Sequence, residues 1–209
     1  MPMSSVPLPL LLLVAYLLGS IPFGLLFARL FAKKDIREVG SGNIGATNVL
    51  RTTGRAAGIA TLLLDIAKGY LAVWMAGRLT AHDWLWMSAA ALAVMAGHAY
   101  PVFLKFKGGK AVASWVGAFL CLTPIALIAV LVVFVVVVAW TRYISMGSII
   151  MAATLPLAVW LIVHPPLAPI MAATLAGAFI IYKHSSNIQR LRSGREHVFG
   201  FGAKTHVNN

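Results

Sequence analysis

Long apolar stretches dominate this 209-residue sequence and restrict it to folds that a lipid bilayer accommodates. A transmembrane helix needs about 20 apolar residues. Only 11% of the residues are charged, against about a quarter in a typical soluble domain. The apolar runs lie at 6–31, 56–77, 85–104, 111–140, 146–163 and 167–183. The sequence therefore predicts an all-α integral membrane protein that forms a single domain over 1–209.

The run 111–140 decides the predicted number of spans. As one helix of about 30 residues it would extend about 45 Å, well beyond a hydrocarbon core of about 30 Å, and Pro124 interrupts it. A break near Leu122–Pro124 gives seven transmembrane helices, several short or broken, with the N-terminus outside and the C-terminus cytoplasmic. The alternative is five spans of the same parity, with part of 111–163 re-entrant or interfacial.

The strongly basic charge of the chain follows the predicted topology. The net charge is +12, from 17 Lys and Arg against five acids. Such a balance can indicate nucleic-acid binding. However, fourteen of the 17 cations lie in 29–55, 105–110 and 183–204, next to span ends, as the positive-inside rule expects. We therefore predict no nucleic-acid partner, and an anion-binding site at the cytoplasmic face is compatible with the same distribution.

The first of three polar segments, 40–51, contains a G-x-G-x-x-G pattern. No buried strand precedes it, so a dinucleotide fold is not indicated. Its glycines expose backbone N–H groups, a helix that begins near Ala46 would attract an anion at its N-terminus, and arginine is the usual bidentate phosphate ligand. The candidate phosphate ligands of this segment are Ser41, Gly42, Asn43, Gly45, Asn48 and Arg51.

The second polar segment, 97–110, ends in Gly108-Gly109-Lys110 at the start of the next apolar run. We predict that these glycines offer free N–H groups to a phosphate and that Lys110 adds a cation. Lys105 and Lys107 are explained by topology alone. His98 suits a packed residue and a ligand equally well.

The third polar segment, 184–196, follows the last apolar run. His184 is a candidate general base or phosphate donor, and Asn187 shares its face if the helix continues. Alternatively, Ser186 or Asn187 caps a short helix over 188–193 that Gly194 ends. We expect Glu196 to be structural and to pair with an arginine of the polar segments.

Two charged residues stand inside the second apolar run, Asp65 and Lys68. Charges within a bilayer are costly and are usually paired or functional. Because the two residues are three apart, we predict a structural ion pair near the site.

Together the three segments resemble the bacterial acyl-phosphate-dependent glycerol-3-phosphate acyltransferases, the PlsY family. The resemblance covers nearly the whole chain and implies that a fatty acyl group passes from acyl-phosphate to the sn-1 hydroxyl of glycerol 3-phosphate. The products would be lysophosphatidate and phosphate, in the first acylation of phospholipid synthesis. The matching residues are Ser41-Gly-Asn-x-Gly-x-x-Asn48-x-x-Arg51, Gly97-His-x-x-Pro-x-Phe-x-x-Phe-Lys-Gly-Gly-Lys110 and His184-x-x-Asn187-Ile-x-Arg190-x-x-x-Gly194-x-Glu196.

The resemblance also implies where and with what the protein works. It places the chain in the bacterial inner membrane, among membrane lipids, with the active site at the cytoplasmic face. No cofactor and no metal are expected, and a soluble acyl-phosphate-producing enzyme is a transient partner.

The resemblance implies roles for the site residues. Ser41 and Arg51 belong to the first motif, Gly108, Gly109 and Lys110 to phosphate binding, and His184 and Asn187 to the catalytic third motif. We expect direct attack by the glycerol hydroxyl, with cations, Asn187 and glycine amides stabilising the developing charge. His184 and a phosphate oxygen of a substrate are alternative bases.

Two other functional classes have weaker support from the sequence. An anion carrier needs cationic or helix-end groups near the bilayer midplane, whereas the charged segments gather at one predicted face. A lipid-binding scaffold would tolerate exchange of Arg51 for lysine, which a bidentate clamp would not.

Overall fold

A computed structural model describes residues 7–200, which form ten α-helices and no strand. A 3-10 turn lies at Val102–Leu104 and a π-helical turn at Val159–Val163. The helices are α1 Leu8–Ser20, α2 Phe23–Ala32, α3 Ala46–Thr52, α4 Arg55–Leu79, α5 Trp84–Ala99, α6 Val112–Leu122, α7 Pro124–Thr141, α8 Ile144–Ala158, α9 Leu167–Lys183 and α10 Ser185–Arg192.

Five helical segments of the described chain are long and apolar enough to cross a membrane. They are Leu8–Ala32, Arg55–Leu79, Trp84–Leu104, Pro124–Thr141 and Ile144–Val163. The helices α9 and α10 pass the same test as a pair bent by 57°, and α6 is apolar but has only 11 residues. An 11-residue helix rises about 16 Å, about half of the hydrocarbon core. The predicted all-α membrane fold is confirmed, and both the seven-span count and its five-span alternative are compatible with these helices.

The predicted break in the run 111–140 is present. Thr123 is non-helical between α6 and α7, and Pro124 occupies the first position of α7, where a missing N–H costs nothing. A second break lies at Ile21 and Pro22 and separates α1 from α2.

Close helix contacts at glycines hold the bundle together. A Cβ atom on Gly117 of α6 would collide with the backbone oxygen of Ile66 on α4, and one on Gly69 of α4 would collide with that of Ser114. Membrane helices pack in this way because lipid provides no hydrophobic force between them. The crossing of α4 and α6 brings the start of α6 towards α3 and the first polar segment.

The connections that carry the polar segments meet at one end of the bundle. The Lys110 side chain bonds to that of Asn187. The Phe199 amide donates to the carbonyl of Arg142, at 2.8 Å, so the segment after α10 lies beside the α7–α8 connection. The predicted positions of the two termini, in 1–6 and 201–209, lie outside the described residues.

Replacing Gly117 by leucine should destabilise the bundle, because a bulky side chain would separate α4 from α6. Overpacking of this kind costs about 1–3 kcal/mol or more. We expect a lower apparent melting temperature for Gly117→Leu in detergent micelles. The matched control is Val132→Leu on the lipid-facing surface of α7, where Val132 is 59% exposed. Equal melting temperatures for the two variants would contradict the close contact.

Candidate active site

A cavity of about 430 Å³ lies where the three polar segments meet. One part of its wall is polar and the other is formed by apolar side chains of α4, α6, α7 and α8, so it suits a molecule with a charged head and an apolar tail. The polar part contains Ser41, Asn43, Arg51, His98, Lys110, His184, Asn187, Arg190 and Glu196. The apolar part contains Ile59, Leu62, Ile66, Val116, Leu131, Phe134 and Met151.

A chain of hydrogen bonds connects the second and third polar segments. Lys110 Nζ donates to Asn187 Oδ1, and Asn187 Nδ2 donates to Glu196 Oε1 at 2.7 Å. Glu196 also accepts from Arg190 Nε at 2.8 Å and from Ser145 Oγ on α8 at 3.0 Å. The predicted pairing of Glu196 with an arginine is therefore present. Glu196 fixes α10 against α8 and thereby fixes the side chains that face the cavity.

Arg190 is a site residue that the sequence analysis named only within the third matching motif and to which it gave no role. It lines the cavity and pairs with Glu196. The available signal was its spacing, because a residue three positions after Asn187 shares its helix face.

The charges at the polar end are predominantly positive. Burial lowers the pKa of the Arg51 guanidinium, which nevertheless remains charged. Burial, followed by the charge of Arg190, lowers the pKa of Lys110 to about 8, although Glu196 opposes the shift. Burial alone would raise the pKa of Glu196, but hydrogen bonds from Asn187, Arg190 and Ser145 bring it below its usual value. Three cations thus surround one ionised carboxylate, which favours binding of an anion.

His184 presents one ring nitrogen to the cavity. Its Nδ1 lies 2.8 Å from the Ile180 carbonyl oxygen. A carbonyl oxygen only accepts, so Nδ1 carries the hydrogen and Nε2 of the neutral ring keeps a lone pair. His184 is buried and lines the cavity. This arrangement can accept a proton or a hydrogen bond from a bound molecule.

The two alternatives for the third segment are now resolved. The helix α10 begins at Ser185, immediately after His184, and no side chain caps it, so the predicted cap by Ser186 or Asn187 is wrong. Asn187 lies in the first turn, and its side chain reaches Lys110. The continuing helix, bent by 57° at His184, brings His184 and Asn187 to the same cavity.

The side chain of Asn48, predicted to be a phosphate ligand, is bonded to the backbone of its own loop. Its Oδ1 accepts from the Ser41 amide at 3.0 Å, and its Nδ2 donates to three backbone carbonyls of the preceding loop. Asn48 is 2% exposed. Its polar atoms are therefore used to hold the loop, which places it as a positioning residue for Ser41 and Asn43.

The glycine amides are also already bonded within the protein. The Gly42 amide donates to Val39 O at 3.1 Å and that of Gly45 to Asn43 Oδ1 at 2.9 Å. The Gly108 and Gly109 amides donate to the carbonyls of Ala99 and His98 at the end of α5, each at 3.2 Å. The expectation of free N–H groups at these four glycines is wrong, and side chains provide the groups that face the cavity.

The glycines of the second segment allow close approach. A Cβ atom on Gly108 would collide with the His98 carbonyl oxygen, and one on Gly109 would lie 2.6 Å from His98 Nε2. The connection therefore folds back onto α5, and Lys110 follows directly at the cavity wall.

The expected ion pair between Lys68 and Asp65 is also present, with Lys68 Nζ 2.7 Å from Asp65 Oδ1.

Comparisons with known proteins identify a family, related sequences and related structures. Residues 9–194 match the glycerol-3-phosphate acyltransferase family. The glycerol-3-phosphate acyltransferase of Geobacter sulfurreducens is 51% identical over 186 residues, which cover 89% of this chain and 94% of the relative. The glycerol-3-phosphate acyltransferase of Geotalea daltonii is 48% identical over 189 residues, which cover 90% of this chain and 96% of the relative.

Two solved structures of PlsY (YgiH), an integral membrane glycerol 3-phosphate acyltransferase, have the same fold. The glycerol 3-phosphate form has a TM-score of 0.87 and 39% identity, and covers 92% of this chain and 96% of its own. The lysophosphatidic acid form has a TM-score of 0.84 and 38% identity, and covers 92% of this chain and 95% of its own. Family match, sequence identity and fold extend over nearly the same residues, and the chain therefore belongs to the glycerol-3-phosphate acyltransferase family, which includes PlsY.

Proposed function

We propose that this glycerol-3-phosphate acyltransferase takes its acyl group from acyl-phosphate and transfers it to the sn-1 hydroxyl, giving lysophosphatidate and phosphate. The observation that carries the proposal is the cavity, in which a cationic wall continues into an apolar wall between membrane helices. An acyl-phosphate has a matching anionic head and apolar tail. Its mixed anhydride is already activated, so the transfer needs neither a cysteine nucleophile nor a metal.

The second substrate also fits the cationic wall. Arg51, Lys110 and Arg190 line the cavity, and two phosphates are better accommodated by three cations than by one. The sn-1 hydroxyl of glycerol 3-phosphate is primary and lies farthest from the phosphate. It therefore extends towards the acyl carbon while the phosphate remains at the cations.

The proposed reaction is a direct displacement. The sn-1 oxygen forms an ester bond to the acyl carbon, the bond from that carbon to the phosphate oxygen breaks, and phosphate leaves with the electron pair. Arg51 and Lys110 stabilise the developing negative charge, and Asn187 orients Lys110. The hydroxyl proton passes either to His184 Nε2 or to a phosphate oxygen.

The distribution of charge indicates the membrane face at which the active site lies. The end of the bundle that carries the site contains most of the lysines and arginines, so we assign it to the cytoplasmic face of the bacterial inner membrane. The N-terminus would then lie outside and the C-terminus inside, with 1–209 as one acyltransferase domain. A soluble enzyme that produces acyl-phosphate would contact this basic face transiently.

The donor is tested by phosphate release from palmitoyl-phosphate with purified protein and a metal chelator. We expect release that depends on glycerol 3-phosphate and equals the lysophosphatidate formed, with the acyl group at sn-1. Palmitoyl-coenzyme A is the matched control donor and should give no product. Acylation from the thioester alone would overturn the proposed donor while leaving the family's acyltransferase activity intact.

The lowered pKa of Lys110 predicts a loss of activity in alkali. A lysine with a pKa of about 8 loses its charge as the pH rises through that value, so kcat/KM of the free enzyme should fall above pH 8. Arginine keeps its charge there. We expect Lys110→Arg to remove the alkaline fall, although its different shape lowers kcat/KM at pH 7 by roughly tenfold or more.

The control for this profile is Lys107→Arg, because Lys107 is exposed at the same end of the protein and does not line the cavity. Its pH profile should match that of the unaltered enzyme. An alkaline fall near pH 8 that persists in Lys110→Arg would refute the assignment to Lys110.

The two alternative bases differ in what His184→Gln does. Glutamine retains hydrogen bonding but takes up no proton near neutral pH. If Nε2 is the base, kcat should fall by about 100-fold or more, as is typical for loss of a general base. Near-normal kcat in this variant would eliminate His184 and assign the proton to a substrate phosphate.

A further inference from the structure

A buried polar cluster at the edge of the catalytic cavity takes no part in the reaction derived above. It consists of Asp65 and Lys68, one turn apart on α4, and His98 on α5. Their exposed fractions are 1%, 4% and 5%. Burial of three ionisable side chains within membrane helices is costly, and such residues usually have a function. The question is which function this cluster has.

Lys68 connects the cluster to the break between α1 and α2. Its Nζ donates to the Ile21 carbonyl oxygen at 2.9 Å and lies 5.6 Å from the centre of the Phe23 ring. Phe23 begins α2, and α2 packs against the first polar segment so closely that a Cβ on Gly24 would collide with the Ile44 carbonyl oxygen. The position of Lys68 is therefore coupled to the loop that carries Ser41 and Asn43.

His98 connects the cluster to the second polar segment. Its carbonyl accepts from the Gly109 amide, and its ring lies directly against Gly109, where a Cβ would approach Nε2 to 2.6 Å. The same Cβ on Gly109 would also lie 3.4 Å from Asn43 Oδ1. Gly109 thus packs against both His98 and the first polar segment, and Lys110 is the next residue.

Asp65 lies between these two connections. Its Oδ1 is 2.7 Å from Lys68 Nζ and 3.7 Å from His98 Nδ1, and Nδ1 has no hydrogen-bond partner among residues 7–200. Asp65 and His98 also line the catalytic cavity. The carboxylate therefore faces both the lysine that holds the first segment and the histidine that supports the second.

We propose that Asp65, Lys68 and His98 are positioning residues that set the distance between the first polar segment and Lys110. Without their contacts the two loops would still fold, but the phosphate-binding groups on them would no longer converge. A misplacement of about 1 Å at a catalytic group can reduce turnover by about 100-fold. The cluster would therefore act on kcat through the placement of Lys110.

The test separates positioning from folding by removing both charges together. Asp65→Asn or Lys68→Met alone leaves one buried charge unpaired and should destabilise the protein. The double variant D65N/K68M leaves neither charge, and replacement of a whole buried ion pair is often tolerated. We expect the double variant to recover the melting temperature of the unaltered enzyme in detergent, while kcat stays about tenfold or more below it.

The Michaelis constant provides a second readout. The acyl tail binds at the apolar wall, away from the cluster, so the KM for the acyl donor should change by less than about threefold in the double variant. The control is Ser88→Ala, because Ser88 is a buried polar residue of α5 that lies outside the cavity. Both kcat and melting temperature should be unchanged in Ser88→Ala.

Two results would overturn the proposal. Recovery of both kcat and melting temperature in D65N/K68M would show that the ion pair serves folding alone. Failure of the double variant to fold would assign the cluster to folding as well. The inference rests on the proposed function, but the comparison is made with whichever acyl donor the unaltered enzyme uses, so a wrong donor is revealed separately.

Discussion

The chain of hydrogen bonds from Lys110 through Asn187 to Glu196 is the interaction on which the site depends. It joins the start of α6 to α10, and Glu196 extends it to Ser145 on α8. The partly buried side chains of Lys110 and Glu196 need partners, because an unpaired buried charge is far more costly than a paired one. The same contacts that satisfy these groups also bring residues more than 70 positions apart to one cavity wall.

The glycine-rich loops contribute to the site in a different way from a phosphate-binding loop of a soluble nucleotide enzyme. Their backbone amides donate hydrogen bonds within the protein, to oxygens of Val39, Asn43, His98 and Ala99. Buried backbone donors are almost always bonded. The second polar segment folds back onto the end of α5, which offers free carbonyls, whereas the first bonds within its own loop. The absence of a Cβ allows this close approach, and the glycines thereby help to place Ser41 and Lys110.

Much of the fold was predictable because hydropathy and proline are local signals. The break at Pro124 follows from the excess length of one apolar run, and the pairing of Asp65 with Lys68 follows from their spacing. The helix start at Ser185 was less predictable. Capping residues compete with tertiary contacts, and the contact of Asn187 with Lys110 took precedence over a local cap.

The sequence by itself determined an all-helical membrane protein, its breaks, the end at which its cations gather and, through the three motifs, its family. Each of these depends on residue type and spacing along the chain. Only the tertiary structure decided which polar atoms are free. It showed that Asn48 and the glycine amides are occupied, that Arg190 faces the cavity, and that His184 keeps one nitrogen available. The reason is physical: a hydrogen-bonding group acts on a substrate only if no neighbour has taken it, and those neighbours are distant in sequence.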